Sequence, residues 1–190
     1  MINIIFVLGG PGAGKGTLCQ GLKDDGWIHM SLGECLREKA KTDQIINDIL
    51  KGGNMVPSEL AVKTIHEYLD SLENGSRVLV DGFPRNETNW EEWIKRENPN
   101  LKIHRIIFLE TSKDIMFKRI MHRASKSDQK RSDDRVEVLE NRYQLYLESL
   151  KVLEREELKK ILIKVDSNGK PEETLENVRN IFNNINFDHL

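Results

Sequence analysis

No apolar run in this sequence approaches the roughly 18–20 residues that a membrane-spanning helix needs, so a soluble chain is expected. Neither sign of charge dominates. Lys and Arg number 29 against 31 Asp and Glu, a net charge of -2, which offers no general pull toward nucleic acid or an anionic membrane. Cysteine is scarce: Cys19 and Cys35 stand in helix-like contexts without metal or redox spacing. That usage points to a reducing cytosol and to packing roles for both thiols. The apolar start, MINIIFVLGGPG, lacks a basic lead and a small-residue cleavage site, so it reads as a strand rather than a secretion signal. The histidines form no metal or catalytic pattern, and no Ser/His/Asp constellation stands out. The D-x-x-G and N-K-x-D signatures of a guanine-nucleotide switch are also missing.

What is present suits one domain with a substantial core: 190 residues, 38% hydrophobic and 32% charged. Short β-rich apolar runs at Asn3–Leu8, Arg77–Val80, Ile103–Leu109 and Ile161–Val165 predict buried strands. Helical patterning fills the intervals. It covers Gly14 to about Asp25, Gly33–Lys41, Gln44–Lys51, Ser58–Leu72, Asn86–Glu97, Lys113 to about His122, Val136–Lys159 and Glu172–Asn184. Strands alternating with helices in this way predict an α/β fold whose parallel sheet is covered on both faces.

The strongest local signal is Gly9-Gly10-Pro11-Gly12-Ala13-Gly14-Lys15, which follows a predicted strand and opens a helix. In that context G-x-x-x-x-G-K is a phosphate cradle. Its glycines let successive backbone N–H groups turn inward toward phosphate oxygens, and the helix N-terminus adds its dipole. Lys15 brings a mobile positive charge. The residue after it, usually a Ser or Thr that ligates magnesium, is Gly16, with Thr17 one further along. A magnesium ion is therefore expected to be held by phosphates and water, with Thr17 and the strand-end Asp81 nearby.

A wider set of segments goes with that loop: GGPGAGKGT (9–17), SLGECLR (31–37), Val56-Pro57, DGFPR (81–85), RSDD (131–134) and Asn141-Arg142. Together they resemble the adenylate kinase and UMP-CMP kinase family, over nearly the whole chain. The resemblance implies a three-layer P-loop NTPase fold with a parallel five-stranded sheet. It also implies a single domain with a small acceptor-binding helical insert at about 31–60 and a short lid at about 123–134. The reaction implied is reversible transfer of the γ-phosphoryl of MgATP to a nucleoside monophosphate, by a cytoplasmic monomer with the nucleus as a second location.

By the same resemblance, Gly12, Ala13, Gly14, Lys15, Gly16 and Thr17, with Arg123, Gly169 and Lys170, would hold ATP. Ser31, Arg37, Asn54, Met55, Val56, Gly82, Phe83, Pro84 and Arg85 would receive the acceptor. Arg123 and Arg131 would close over the transferring group, Asp133 and Asp134 could orient them, and Arg142 would stand between donor and acceptor. The chemistry favours arginines on separate elements, because each grips phosphate bidentately and stays charged.

Asn89 carries the substrate reading. Adenylate kinases typically place Gln at this position and UMP-CMP kinases Asn, and a shorter amide suits a pyrimidine edge. The acceptor expected is UMP or CMP, with dCMP also open. A short-lid adenylate kinase using AMP and a non-catalytic nucleotide-binding module are the alternatives. Trp90 and Trp93 lie close enough to stack on a base, though helix packing suits them better.

Overall fold

The computed structural model describes residues 1–125, 136–185 and 187, those at 136 and 137 by backbone alone. Among the described residues a five-stranded, all-parallel sheet organises the chain, in the order β2-β3-β1-β4-β5. Its strands are β1 (Ile2–Gly9), β2 (Ile28–Ser31), β3 (Arg77–Asp81), β4 (Leu101–Glu110) and β5 (Leu162–Asp166). Central β1 is the apolar run read from the sequence, and Ile4, Ile5, Phe6 and Val7 are fully buried in it. That suits a parallel strand with helices over both faces.

Two apolar layers flank the sheet. On one side Phe6, Phe83 and Trp93 form a ring cluster with centroids 5.5–5.6 Å apart. It is covered by α4 (Ser58–Asp70) and α5 (Glu87–Lys95). On the other side Ile5, Val7, Leu18, Trp27, Val178 and Phe182 pack under α1 (Lys15–Gly21) and α9 (Pro171–Asn183). Register then brings the chemistry to the carboxyl edge of the sheet. Val7 pairs with Asp81, and the Gly82 N–H donates to the Val7 carbonyl at 3.1 Å. The phosphate loop and the DGFPR turn therefore emerge side by side, where ligands of open α/β sheets sit.

Three elements depart from the patterning. Strand β2 is absent from it, because Ile28–Ser31 is a four-residue edge strand with only Ile28 and Met30 as apolar residues; pairing with β3 makes it a strand. The first helix ends at Gly21, not near Asp25, and a 3₁₀ turn (Lys23–Asp25) closes on Gly26.

The single helix expected over Val136–Lys159 is α7 (Val136–Ser149), a 3₁₀ segment (Leu150–Glu154) and α8 (Glu156–Lys159). No glycine or proline breaks it. The chain instead turns to bury Val152, Leu153 and Leu158. Arg155, extended at the junction, bonds Glu87 at 2.9 Å and Glu157 at 2.7 Å, while Glu157 accepts from the Trp90 indole at 3.1 Å. The remaining helices are α2 (Leu32–Lys39), α3 (Gln44–Lys51) and α6 (Lys113–Ser125). Among the described residues no helix is long and apolar enough to cross a membrane.

Candidate active site

The phosphate loop is shaped by close packing behind it. Gly12 has φ +79, and a Cβ there would come within 2.5 Å of the Met116 carbonyl, so neither space nor backbone allows another residue. Gly14 caps α1, and its neighbour Ala13 is fully buried. Thr17 and Gly16 lie exposed on the first turn of α1. Lys15 folds back so that its Nζ donates to the carbonyls of Gly9 (2.9 Å) and Gly10 (3.0 Å). Loss of solvent around it brings its pKa down from 10.5 to about 8. Asp81 pulls the other way, while Arg85 and Arg142 add to the lowering.

Asp81 is buried at the end of β3 and bonds His29 Nε2 at 3.3 Å. Burial by itself would raise its pKa, but the His29 bond and the Lys15 charge hold it below the ordinary carboxylate value. Cys19, sealed beneath the loop, has its pKa pushed well up by burial and by Asp81, which makes it an inert packing thiol. Among the described residues no group of three His, Cys, Asp or Glu side chains could cage a metal ion. A buried carboxylate beside Lys15 and an exposed Thr17 instead suit an ion that arrives on phosphates and keeps its water.

From the loop a cavity of about 140 Å³ runs toward α2 and α3. Lys15, Arg37, Arg85 and Arg142 line it, so four cations read from the sequence converge on one cleft. Asn54 and Met55 form part of its wall with Gly82 and Pro84, and Leu36, Leu50, Phe108 and Tyr146 supply an apolar side. Arg85 is aimed by its own turn, since its Nε donates to the Gly82 carbonyl at 2.7 Å. Ser31 caps α2 by accepting from the Glu34 N–H at 3.3 Å, which sets the helix that carries Arg37.

Several expected site residues face elsewhere. Phe83 is fully buried among Phe6 and Trp93, and Val56 belongs to the same apolar cluster. Trp93 packs there too and Trp90 is held by Glu157, the packing roles that the sequence favoured for both. Asn89 is 3% exposed and does not line the cavity. Its Oδ1 accepts from the Arg85 N–H (3.1 Å) and its Nδ2 donates to Ser58 Oγ (2.7 Å). An amide has four hydrogen-bonding valences, so these bonds leave Asn89 one N–H and one lone pair. Arg123 stands in the last turn of α6; Arg131, Asp133 and Asp134 lie outside the described residues.

Beyond β5, Gly169 and Lys170 are exposed before α9, where the Lys170 backbone N–H donates to Glu173 Oε2 at 3.1 Å. Two residues that the motifs did not flag tie this loop to the phosphate cradle. Ser167 is buried, and its hydroxyl donates to the Ala13 carbonyl at 2.8 Å. Arg119 donates to the carbonyls of Ala13 (3.5 Å) and Gly169 (2.9 Å). The three bonds span 154, 106 and 50 residues of chain, separations over which no local sequence pattern acts.

Residues 7–156 match the family model for adenylate kinase. The chain is 36% identical to UMP-CMP kinase 1 of Oryza sativa subsp. japonica, over 97% of this chain and 76% of that protein. It is 34% identical to the UMP-CMP kinase of Sus scrofa, over 95% of this chain and 96% of that one. The UMP-CMP kinase of Homo sapiens is likewise 34% identical, over 94% and 96%.

Proposed function

The chain belongs to the adenylate kinase family and is a nucleoside monophosphate kinase, and from that premise we propose that it transfers the γ-phosphoryl of ATP to UMP or CMP. The observation that carries this reading is the convergence of Lys15, Arg37, Arg85 and Arg142 on one cleft opening from the phosphate loop. The acceptor phosphate, with a second pKa of about 6, is mostly ionised at neutral pH and needs no general base. What the reaction needs is alignment, charge neutralisation and exclusion of water.

Each group has a place in that task. The loop's N–H groups and Lys15 take the β- and γ-phosphates of ATP. Arg37 and Arg85 take the acceptor phosphate, and Arg142 sits between the two. Magnesium would neutralise the donor phosphates when bound, with Thr17 and Asp81 nearest to its water. Residues 31–60 act as the acceptor insert and 123–134 as a lid, from which Arg123 and Arg131 reach the transferring group. Gly169 and Lys170 contact the donor base. Asn89 sits behind the cleft wall and holds the Arg85 N–H, and we assign its remaining N–H and lone pair to the pyrimidine edge once the base displaces that wall. We place the enzyme as a monomer in the cytoplasm, with the nucleus as a second location.

Coupled ADP release with UMP, CMP, dCMP and AMP at saturating ATP tests the reading. The expected order puts UMP and CMP above AMP in kcat/KM. A clear preference for AMP would overturn the pyrimidine assignment and leave the kinase assignment standing.

A further inference from the structure

After α3 the chain turns through Gly52 and Gly53 into Asn54 and Met55, which form part of the cleft wall. α7 supplies Arg142 to the lining of the same cleft. Between them lies Asn141. Its Nδ2 donates to the Gly52 carbonyl at 3.1 Å and to Asn54 Oδ1 at 3.3 Å. One amide nitrogen carries two hydrogens, so both bonds form at once. A second observation marks the same contact. Gly53 has φ +70, and a Cβ there would lie 2.6 Å from Val138 Cγ1 and 3.1 Å from Arg142 Cγ. The loop thus approaches α7 by its bare backbone, at a distance and a conformation that only glycine supplies.

We propose that Asn141 is a positioning residue that latches the acceptor-side loop Gly52–Met55 to the helix carrying Arg142. The latch is made by protein atoms alone and joins two elements that both line the cleft. It keeps Asn54, Met55 and Arg142 in a fixed relation before an acceptor arrives, so less ordering remains to be done on binding. The two bonds are weak enough to break and re-form as the cleft opens. This rests on the reading that the cleft takes the monophosphate acceptor.

The test compares wild type with Asn141→Ala, with Asn141→Asp, which keeps the shape but removes the donors, and with Gly53→Ala, which wedges the same contact from the loop side. Steady-state kinetics with UMP, CMP and ATP would be paired with hydrogen exchange of the 52–55 segment in protein without nucleotide. Loss of the latch should raise the acceptor KM by about 3- to 10-fold, leave the ATP KM within about twofold, and lower kcat by less than the KM rise. Exchange at 52–55 should quicken several-fold while β1 stays unchanged, and Asn141→Gln should recover part of the loss. Equal movement of both KM values, or an unchanged acceptor KM together with a lower melting temperature, would reduce Asn141 to a stability residue and overturn the proposal. If wild type phosphorylates none of UMP, CMP and AMP, the reading of the cleft fails, while exchange at 52–55 still decides for or against the latch.

Discussion

The end of the cleft proposed for the donor is one contiguous stretch, Gly9 to Lys15, held between a central strand and the helix it opens. The end proposed for the acceptor takes Arg37 from α2, Asn54 from the loop after α3, Arg85 from the turn after β3 and Arg142 from α7. The first is rigid because its packing admits nothing larger than it has, as the Gly12–Met116 contact shows. The second is joined by side-chain bonds across large sequence distances, among them Asn141 to Gly52 and Asn89 to Ser58. Phosphate binding demands a fixed concave array of N–H groups, which a short stretch of backbone provides. Acceptor selection demands walls that can part and close, which separate elements provide.

That contrast can be broken at its strongest point by Lys15→Met. The fold should survive, and kcat should fall on the order of 10²–10³, the usual cost of one preorganised charge at a developing phosphoryl centre. Near-normal turnover would remove the loop from the mechanism.

Arg131→Ala probes a residue outside the described ones. A drop in kcat of about 10² with a much smaller change in acceptor KM is expected, since its contact is made chiefly in the closed, reacting state. A raised KM with kcat unchanged would make it an ordinary ground-state contact.

At the acceptor end, Asn89→Ala should lower kcat/KM for UMP and CMP roughly 5- to 150-fold, the scale of an unpaired buried polar site. ATP binding should hold. Because Asn89 also fixes the Arg85 N–H, Asn89→Gln separates two roles: partial gain of AMP use indicates base reading, and equal loss for all acceptors indicates turn support alone.

The smallest effect concerns pH. Lys15 titrates near 8 in the fold, against 10.5 ordinarily. Above about pH 8 the free enzyme loses that charge, so kcat/KM for ATP should fall, approaching tenfold per unit. Stability moves the opposite way. Between about 8 and 10.5 the unfolded chain binds more protons than the folded one, so unfolding free energy should rise with pH across that window and lie flat in this respect below it. Thermal melts of wild type and Lys15→Met over that range check the sign, because the variant should lack this rise.

How far the sequence spoke depended on the range of the interactions involved. β1 and the phosphate loop were legible because a continuous apolar run and a glycine string are local signals. Arg37, Arg85 and Arg142 were legible as motif positions, and the structure brings them to one cavity. Nothing local marked Ile28–Ser31 as a strand, Arg155 as a helix break, or Ser167 and Arg119 as braces of the cradle, since each is made by a partner far along the chain.

By itself, then, the sequence determined the alternation of strands and helices, the glycine-rich turn of residues 9–15 and the arginine complement, because these follow from periodicity, backbone freedom and residue type. Only the tertiary structure decided that Phe83 and Val56 serve the core, that Asn89 lies behind Arg85 rather than on the cleft wall, and that Asn141 meets Gly52 and Asn54. Those outcomes depend on which side chains compete for the same space and the same hydrogen-bonding groups once distant segments meet, and that competition does not exist until the chain has folded.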